Sequence, residues 1–164
     1  MTANPYGNSG DEDRGSWCTP KELAARLGAF DLDPCSNERS HVLARVRAFG
    51  RTPDDDGLAL ARFVPAAWRV FINPPYAKGS VSKWIRAYLH TNYVFLLRFD
   101  PSTQWFAQLA EARPFVWFPL GWRVEFEPPP GVVGSKNPFP HALFAANPLP
   151  STLCENGYGY VFRW

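Results

Sequence analysis

The residues with the clearest chemical potential are four in a row, Asn73-Pro74-Pro75-Tyr76. They follow an apolar run, Val70-Phe71-Ile72, and precede a helical pattern that starts near Ser80, so they fall in a loop at the end of a buried strand. Two consecutive prolines fix φ and remove two N–H donors, which makes the loop stiff and keeps it out of a sheet. A stiff loop can hold acceptors at a fixed distance from a donor. Here those acceptors are the Asn73 side-chain oxygen and the Pro74 carbonyl, beside the flat face of Tyr76. A planar ring with an exocyclic NH₂ matches them: two N–H groups for two oxygens, and a ring to stack on the tyrosine. The plainer alternative is a strand-ending turn in a chain that holds 17 prolines.

Three further stretches offer ligand-binding chemistry. Thr19-Pro20 followed by Glu22 reads as a helix start, with Thr19 as N-cap, Pro20 at the first helical position and Glu22 completing a capping box. Capping explains this stretch by itself, while the free N–H groups of a helix N-terminus also suit the carboxylate of an amino-acid moiety. Asp33-Pro34 closes a short strand, residues 29–36. Asp33 either forms an Asx turn or accepts hydrogen bonds from an ammonium or from ribose hydroxyls. Asp54-Asp55-Asp56-Gly57-Leu58 is an acidic turn, either solvated or holding an adenine amino group with Leu58 covering the ring. Its carboxylates do not alternate as a calcium loop requires.

The elements that position these residues alternate between strand and helix. Leu23, Ala24 and Leu27 form the buried stripe of a first helix. Val42, Leu43, Val46 and Phe49 favour a helical stripe in residues 39–49, a segment short enough to be a strand instead. Val81, Trp84, Ile85, Tyr88 and Leu89 give the clearest amphipathic helix. Tyr93–Leu97 is a continuous apolar run, as in a central parallel strand, and ends in a turn at Arg98-Phe99-Asp100-Pro101. Trp105, Phe106 and Leu109 continue as helix, and residues 114–118, 142–145 and 158–162 read as strands. A long Pro/Gly segment, residues 127–140, separates two of them; its Lys136 and Asn137 are placed to meet a polymer substrate. Alternation of this kind predicts an α/β sheet with ligands at the strand ends.

With 164 residues, 46% of them apolar and 20% charged, the chain has the size and balance of one globular domain, residues 16–164, behind a polar and flexible arm, residues 1–15. The net charge of +2 gives no strong electrostatic signal for nucleic acid, and the arginines at 39, 45, 47 and 51 read first as a solvated surface and second as a phosphate-contacting face. Three cysteines without metal spacing and three scattered histidines point to free thiols in a reducing compartment and to no metal site. No apolar run is long enough to span a bilayer.

Taken in order, Trp17-x-Thr19-Pro20, Asp31-x-Asp33-Pro34-Cys35, Asp56-Gly57-Leu58 and Asn73-Pro74-Pro75-Tyr76 resemble the small phage-type DNA N6-adenine methyltransferase family, with Thr103-x-Trp105-Phe106 in further agreement. The resemblance covers roughly residues 17–145. It implies a Rossmann-like methyltransferase sheet, trimmed in its first half, and a bacterial cytoplasm. It also implies S-adenosylmethionine as cofactor, held around Trp17, Thr19, Pro20, Asp33, Cys35, Asp56 and Leu58. The implied substrate is DNA, with a flipped adenine at Asn73, Pro74, Pro75 and Tyr76, where Tyr76→Phe should be mild because stacking needs only the ring. The chain departs from the pattern in lacking a glycine-rich cofactor loop and in carrying Arg98 and Asp100 at a strand end expected to be apolar. Asp100 either pairs with Arg98 or faces the target. Amino groups of RNA bases and glutamine amides present similar hydrogen pairs, and a non-catalytic DNA-binding relic of the fold is the remaining alternative.

Overall fold

The computed structural model describes residues 17–50, 56–76, 80–132 and 137–164. The arm proposed for residues 1–15, the carboxylates of Asp54 and Asp55, and Lys136 lie outside them. In chain order the described elements are α1 (Lys21–Leu27), β1 (Phe30–Asp33), β2 (Ala44–Arg47), α2 (Gly57–Leu60), β3 (Arg69–Ile72), α3 (Ser80–Tyr88), β4 (Asn92–Arg98), α4 (Gln104–Glu111), β5 (Phe115–Pro119), β6 (His141–Ala145) and β7 (Gly159–Arg163).

The strands form one seven-stranded sheet in the order β2-β1-β3-β4-β6-β5-β7. β2, β1, β3 and β4 are parallel, whereas β6 runs antiparallel between β4 and β5, and β7 antiparallel along the outer side of β5. Successive side chains of the central strands go to opposite faces. Val70, Ile72, Phe95, Leu97, Ala142 and Phe144 pack under α3 and α4. Phe71, Val94, Leu96, Leu143 and Ala145 pack with α1 and with Trp117, Val124 and Leu153. This two-sided burial explains why β4 reads as an unbroken apolar run. The chain leaves β1 outward to β2 and returns on the other side to β3, so the strand order reverses between β1 and β3. In open α/β sheets the crevice outside such a reversal, at the carboxyl ends of the strands, is where ligands bind. Asp33 ends β1 and Asn73 follows β3, so both flank it.

The first half of the sheet is cut short, because residues 34–43 cross from β1 to β2 without a helix. Two sequence expectations change here. Residues 39–49 are not helical: β2 is an edge strand, Leu43 just before it is 65% exposed, and only Val42 and Ala48 of the stretch are fully buried. An edge strand has one sheet neighbour and needs few buried positions, so its apolar residues mimicked a helical stripe. Helix α1 begins at Lys21 with Pro20 in the cap position and no side-chain cap. The capping box does not form, since Glu22 pairs with Arg26 one turn on at 3.1 Å. The Lys21 N–H instead donates to Glu127 at 3.4 Å, and residues 18 and 127 form an antiparallel bridge. No disulfide joins the cysteines, and among the described residues no helix is long and apolar enough to cross a membrane.

Candidate active site

Asn73-Pro74-Pro75-Tyr76 leaves the central strand β3, and its outer end is fixed from β4 and β6. The Arg98 N–H donates to the Tyr76 hydroxyl at 2.7 Å. The Arg98 guanidinium lies 4.6 Å from the centre of the Tyr76 ring and 4.0 Å from that of Phe139, a cation sandwiched by two aromatic faces. His141, paired with Arg98 in the β4–β6 register, meets Tyr76 edge-on at 6.2 Å, and Phe126 meets His141 at 4.9 Å. Burial pushes the Tyr76 phenol well above its usual range, so the hydroxyl stays neutral and serves as an acceptor. Burial, with help from the nearby Arg98 charge, lowers His141 to about 4, against the opposing Phe139 carbonyl, so this imidazole is neutral at physiological pH. Pro74 is buried and Asn73 half-buried. Among the described residues neither the Asn73 side chain nor the Pro74 carbonyl takes a hydrogen-bond partner. Two acceptors at the end of a central strand are thus left unspent beside an immobilised ring.

The β1 side of the crevice is built differently. Asp33 is buried, and its carboxylate accepts from the Cys35 N–H at 3.1 Å and from the Ser40 hydroxyl at 3.4 Å. Burial raises it to about 6, against the Cys35 N–H, the Ser36 and Ser40 hydroxyls and the charge of Arg47. The Asx turn is therefore formed. Ser36 Oγ is buried beside the same carboxylate and helps hold its charge. Asp56 caps α2 by accepting the Leu58 N–H at 2.9 Å, yet its side chain remains exposed. Cys35 and Leu58 pack, half-buried, on the same core as Tyr76. Gly57 seals the two loops together: a Cβ there would lie 2.0 Å from the Pro34 carbonyl oxygen and 2.8 Å from Trp84, while the Gly57 carbonyl accepts from the Tyr88 hydroxyl at 2.5 Å.

The structure therefore brings Asp33, Cys35, Asp56 and Leu58 together on one side of the reversal and the Asn73–Tyr76 loop on the other. No hydrogen bond, ion pair or ring contact among the described residues joins Trp17, Thr19 or Pro20 to the first group; Cys18, between Trp17 and Thr19, donates its thiol to Asn37 Oδ1 at 3.4 Å. Thr19 is buried, Trp17 and Pro20 half-buried, and the first N–H of α1 is taken by Glu127, which also meets His41 at 2.7 Å. Arg39 turns inward, donating to the Pro128 carbonyl at 2.8 Å, so it is not a solvated surface residue. Asp100 pairs with neither Arg98 nor the crevice. It accepts from the Ser102 hydroxyl at 2.6 Å and shapes the turn before α4. Asn137 also faces inward, donating to the Val124 carbonyl at 2.9 Å.

Phe139, His141, the role of Arg98 and the close packing at Gly57 escaped the sequence reading. Arg98 and His141 stand 43 positions apart and become neighbours only through the β4–β6 register. No local spacing announces that pairing. A charged residue at the end of an apolar strand was the one available signal.

A family model described as DNA N-6-adenine-methyltransferase (Dam) matches residues 7–142, more than half of the chain. Comparison with curated proteins and with solved structures returned no match. Among the described residues no cluster of three or more His, Cys, Asp or Glu could hold a metal ion.

Proposed function

Because the chain belongs to the DNA N-6-adenine-methyltransferase family, we propose that it transfers a methyl group from S-adenosylmethionine to N6 of an adenine extruded from DNA. One observation carries the reading: the two unspent acceptors at Asn73 and Pro74, beside a Tyr76 ring locked by Arg98. The N6 lone pair is delocalised into the purine and is a poor nucleophile. If Asn73 Oδ1 and the Pro74 carbonyl each accept one amino hydrogen, the nitrogen is drawn toward tetrahedral geometry and its lone pair becomes available. The rate then comes from alignment and electrostatics, without a covalent enzyme intermediate. The extra proton on the methylated nitrogen leaves to water. His141, neutral and buried, contributes an edge to the ring stack and no charge.

The residues on the β1 side fit the cofactor by donor type. Asp56 offers an exposed carboxylate for hydroxyls or an amino group, and Leu58 an apolar cover. Asp33 acts there by holding the Pro34–Ser36 loop in shape. When bound, S-adenosylmethionine supplies the methyl group on a sulfonium. The expected setting is a bacterial cytoplasm, with modification of phage or prophage DNA as the role the resemblance suggests.

The test is incubation of the protein with labelled S-adenosylmethionine and DNA, RNA or protein, followed by mass spectrometry of the nucleosides. N6-methyladenine in DNA is the expected product. Label in RNA or glutamine alone would transfer the motif to another target, and no label at all would leave a binding relic of the fold.

A further inference from the structure

Arg98 ends β4, and its guanidinium is a cation without an anion. Among the described residues the ion pairs are Arg26 with Glu22, His41 with Glu127 and Arg45 with Asp31, and none involves Arg98. Asp100, two positions on, is spent on the Ser102 N–H at 3.1 Å and the Ser102 hydroxyl at 2.6 Å. Across the sheet stands His141, which burial first and the Arg98 charge second keep neutral. A charge withdrawn this far from water ordinarily has a partner of opposite sign.

The side chain is nonetheless firmly seated. Its Cζ lies 4.6 Å from the centre of the Tyr76 ring and 4.0 Å from that of Phe139. Phe139 is placed by its N–H, which donates to Asn137 Oδ1 at 3.1 Å, and Asn137 is tied in turn to the Val124 carbonyl. Aromatic rings cover the faces of a guanidinium and leave its edge, where the N–H groups point, for hydrogen bonds. Along that edge Nε is buried with no partner, and among the described residues neither Nη group donates to an acceptor. The residue as a whole is half-buried, so the edge is held in position and not sealed from ligands.

We propose that Arg98 binds a phosphate of the target strand, one of the two that flank the extruded adenine. The proposal rests on the methyltransferase reading above. A guanidinium fork matches two phosphate oxygens at once and supplies the missing opposite charge. Extruding a base rotates its nucleotide about the backbone, so a base delivered to Tyr76 brings its own phosphates to the same corner of the crevice. Such a contact sets where the strand lies and reads no sequence. One side chain thus braces the tyrosine and anchors the backbone of the nucleotide that the tyrosine receives.

The test uses the full chain with S-adenosylhomocysteine and a duplex that the protein methylates. In two further duplexes an uncharged methylphosphonate replaces the phosphate on one or the other side of the target adenine. One of the two should bind the wild type about tenfold more weakly, the scale of a hydrogen bond to a charged group. Arg98→Gln keeps a flat side chain and the backbone N–H that holds Tyr76. It should bind the unmodified duplex about tenfold more weakly, lose nothing further to the methylphosphonate, and keep its affinity for S-adenosylhomocysteine. Its plot of log affinity against log salt should be shallower by about one, and Arg98→Lys should restore the slope. Loss of a brace on Tyr76 alone would leave that slope where it was. Wild-type binding indifferent to both methylphosphonates would overturn the proposal and leave the methyltransferase reading standing, as would a salt slope unchanged in Arg98→Gln. A chain that methylates no DNA would defeat that reading, and this inference with it.

Discussion

The two sides of the crevice use similar residues to opposite ends. On the β1 side, Asp33 and Asp56 turn back on their own loops and accept from Cys35, Ser40 and Leu58. On the β3 side, Tyr76 is held from outside by Arg98, while Asn73 and Pro74 keep their oxygens unspent. Polar groups that maintain a shape are satisfied internally. The Asn73 and Pro74 oxygens sit on a proline-stiffened loop without a partner among the described residues, a state that buried polar atoms otherwise avoid. An acid in a sequence motif therefore does not mark a contact by its type alone. What distinguishes the two sides is where the hydrogen bonds go.

The sharpest break in that comparison is Asn73→Ala. With no internal bond to lose, the variant should fold and bind cofactor nearly as before, while methyl transfer falls by about 10²–10³-fold, the scale for one lost transition-state contact. Near-normal turnover in single-turnover kinetics would reduce the loop to a proline-stiffened turn. On the opposite side, Gly57→Ala should damage structure first. Its new methyl collides with the Pro34 carbonyl and Trp84, and a loss of about 3 kcal/mol in denaturant unfolding is expected, together with weaker cofactor binding. An unchanged unfolding midpoint would show that the two loops are not sealed there.

Asp33 gives the pH-dependent counterpart. Its folded value of about 6 exceeds the ordinary 3.8, so the folded state favours the protonated carboxyl. The stabilisation is complete below about 3.8 and is lost as pH rises through about 6, a change of at most about 3 kcal/mol. Asp33→Asn, which keeps an acceptor for the Cys35 N–H, should flatten the stability profile between those limits. A profile with the wild-type slope would assign the titration to another group. The smallest effect expected is that of Tyr76→Phe. The ring survives, but the Arg98 N–H loses its acceptor, at a cost of about 1–3 kcal/mol. The mild outcome expected from stacking alone thus gives way to a measurable drop in melting temperature, with base capture largely kept. A melting temperature equal to that of wild type would mean that water replaces the hydroxyl.

Strands with two buried faces and helices with a strong stripe were legible in the sequence. Val81, Trp84, Ile85 and Tyr88 are all buried in α3, and the run from Tyr93 to Leu97 lies within β4. The motif loop was legible too, because prolines act locally. Contacts made over long separations were not. Thr19 looked like a cap because its neighbours fit one, yet the partner of the α1 N-terminus is Glu127, 106 positions beyond Lys21. The β2 stretch misled because an edge strand leaves apolar residues such as Leu43 and Val46 in solvent. The antiparallel insertion of β6, which creates the Arg98–His141 pair, follows from no feature of β6 itself.

That insertion also sets a timetable for synthesis. β4 and β5 are parallel, joined through α4, and leave the ribosome before β6, which begins at His141. Until β6 appears, the finished edge of β4 has no native neighbour, and β5 is free to pair with it directly in a register that must later be undone. Chains emerge at about 5–20 residues per second, so this exposed edge persists for a second or more, an interval in which chaperones and neighbouring nascent chains compete for it. Nascent chains stalled before residue 141 should therefore remain protease-sensitive, and those extended past Ala145 with enough tail to clear the exit tunnel should become resistant in a single step.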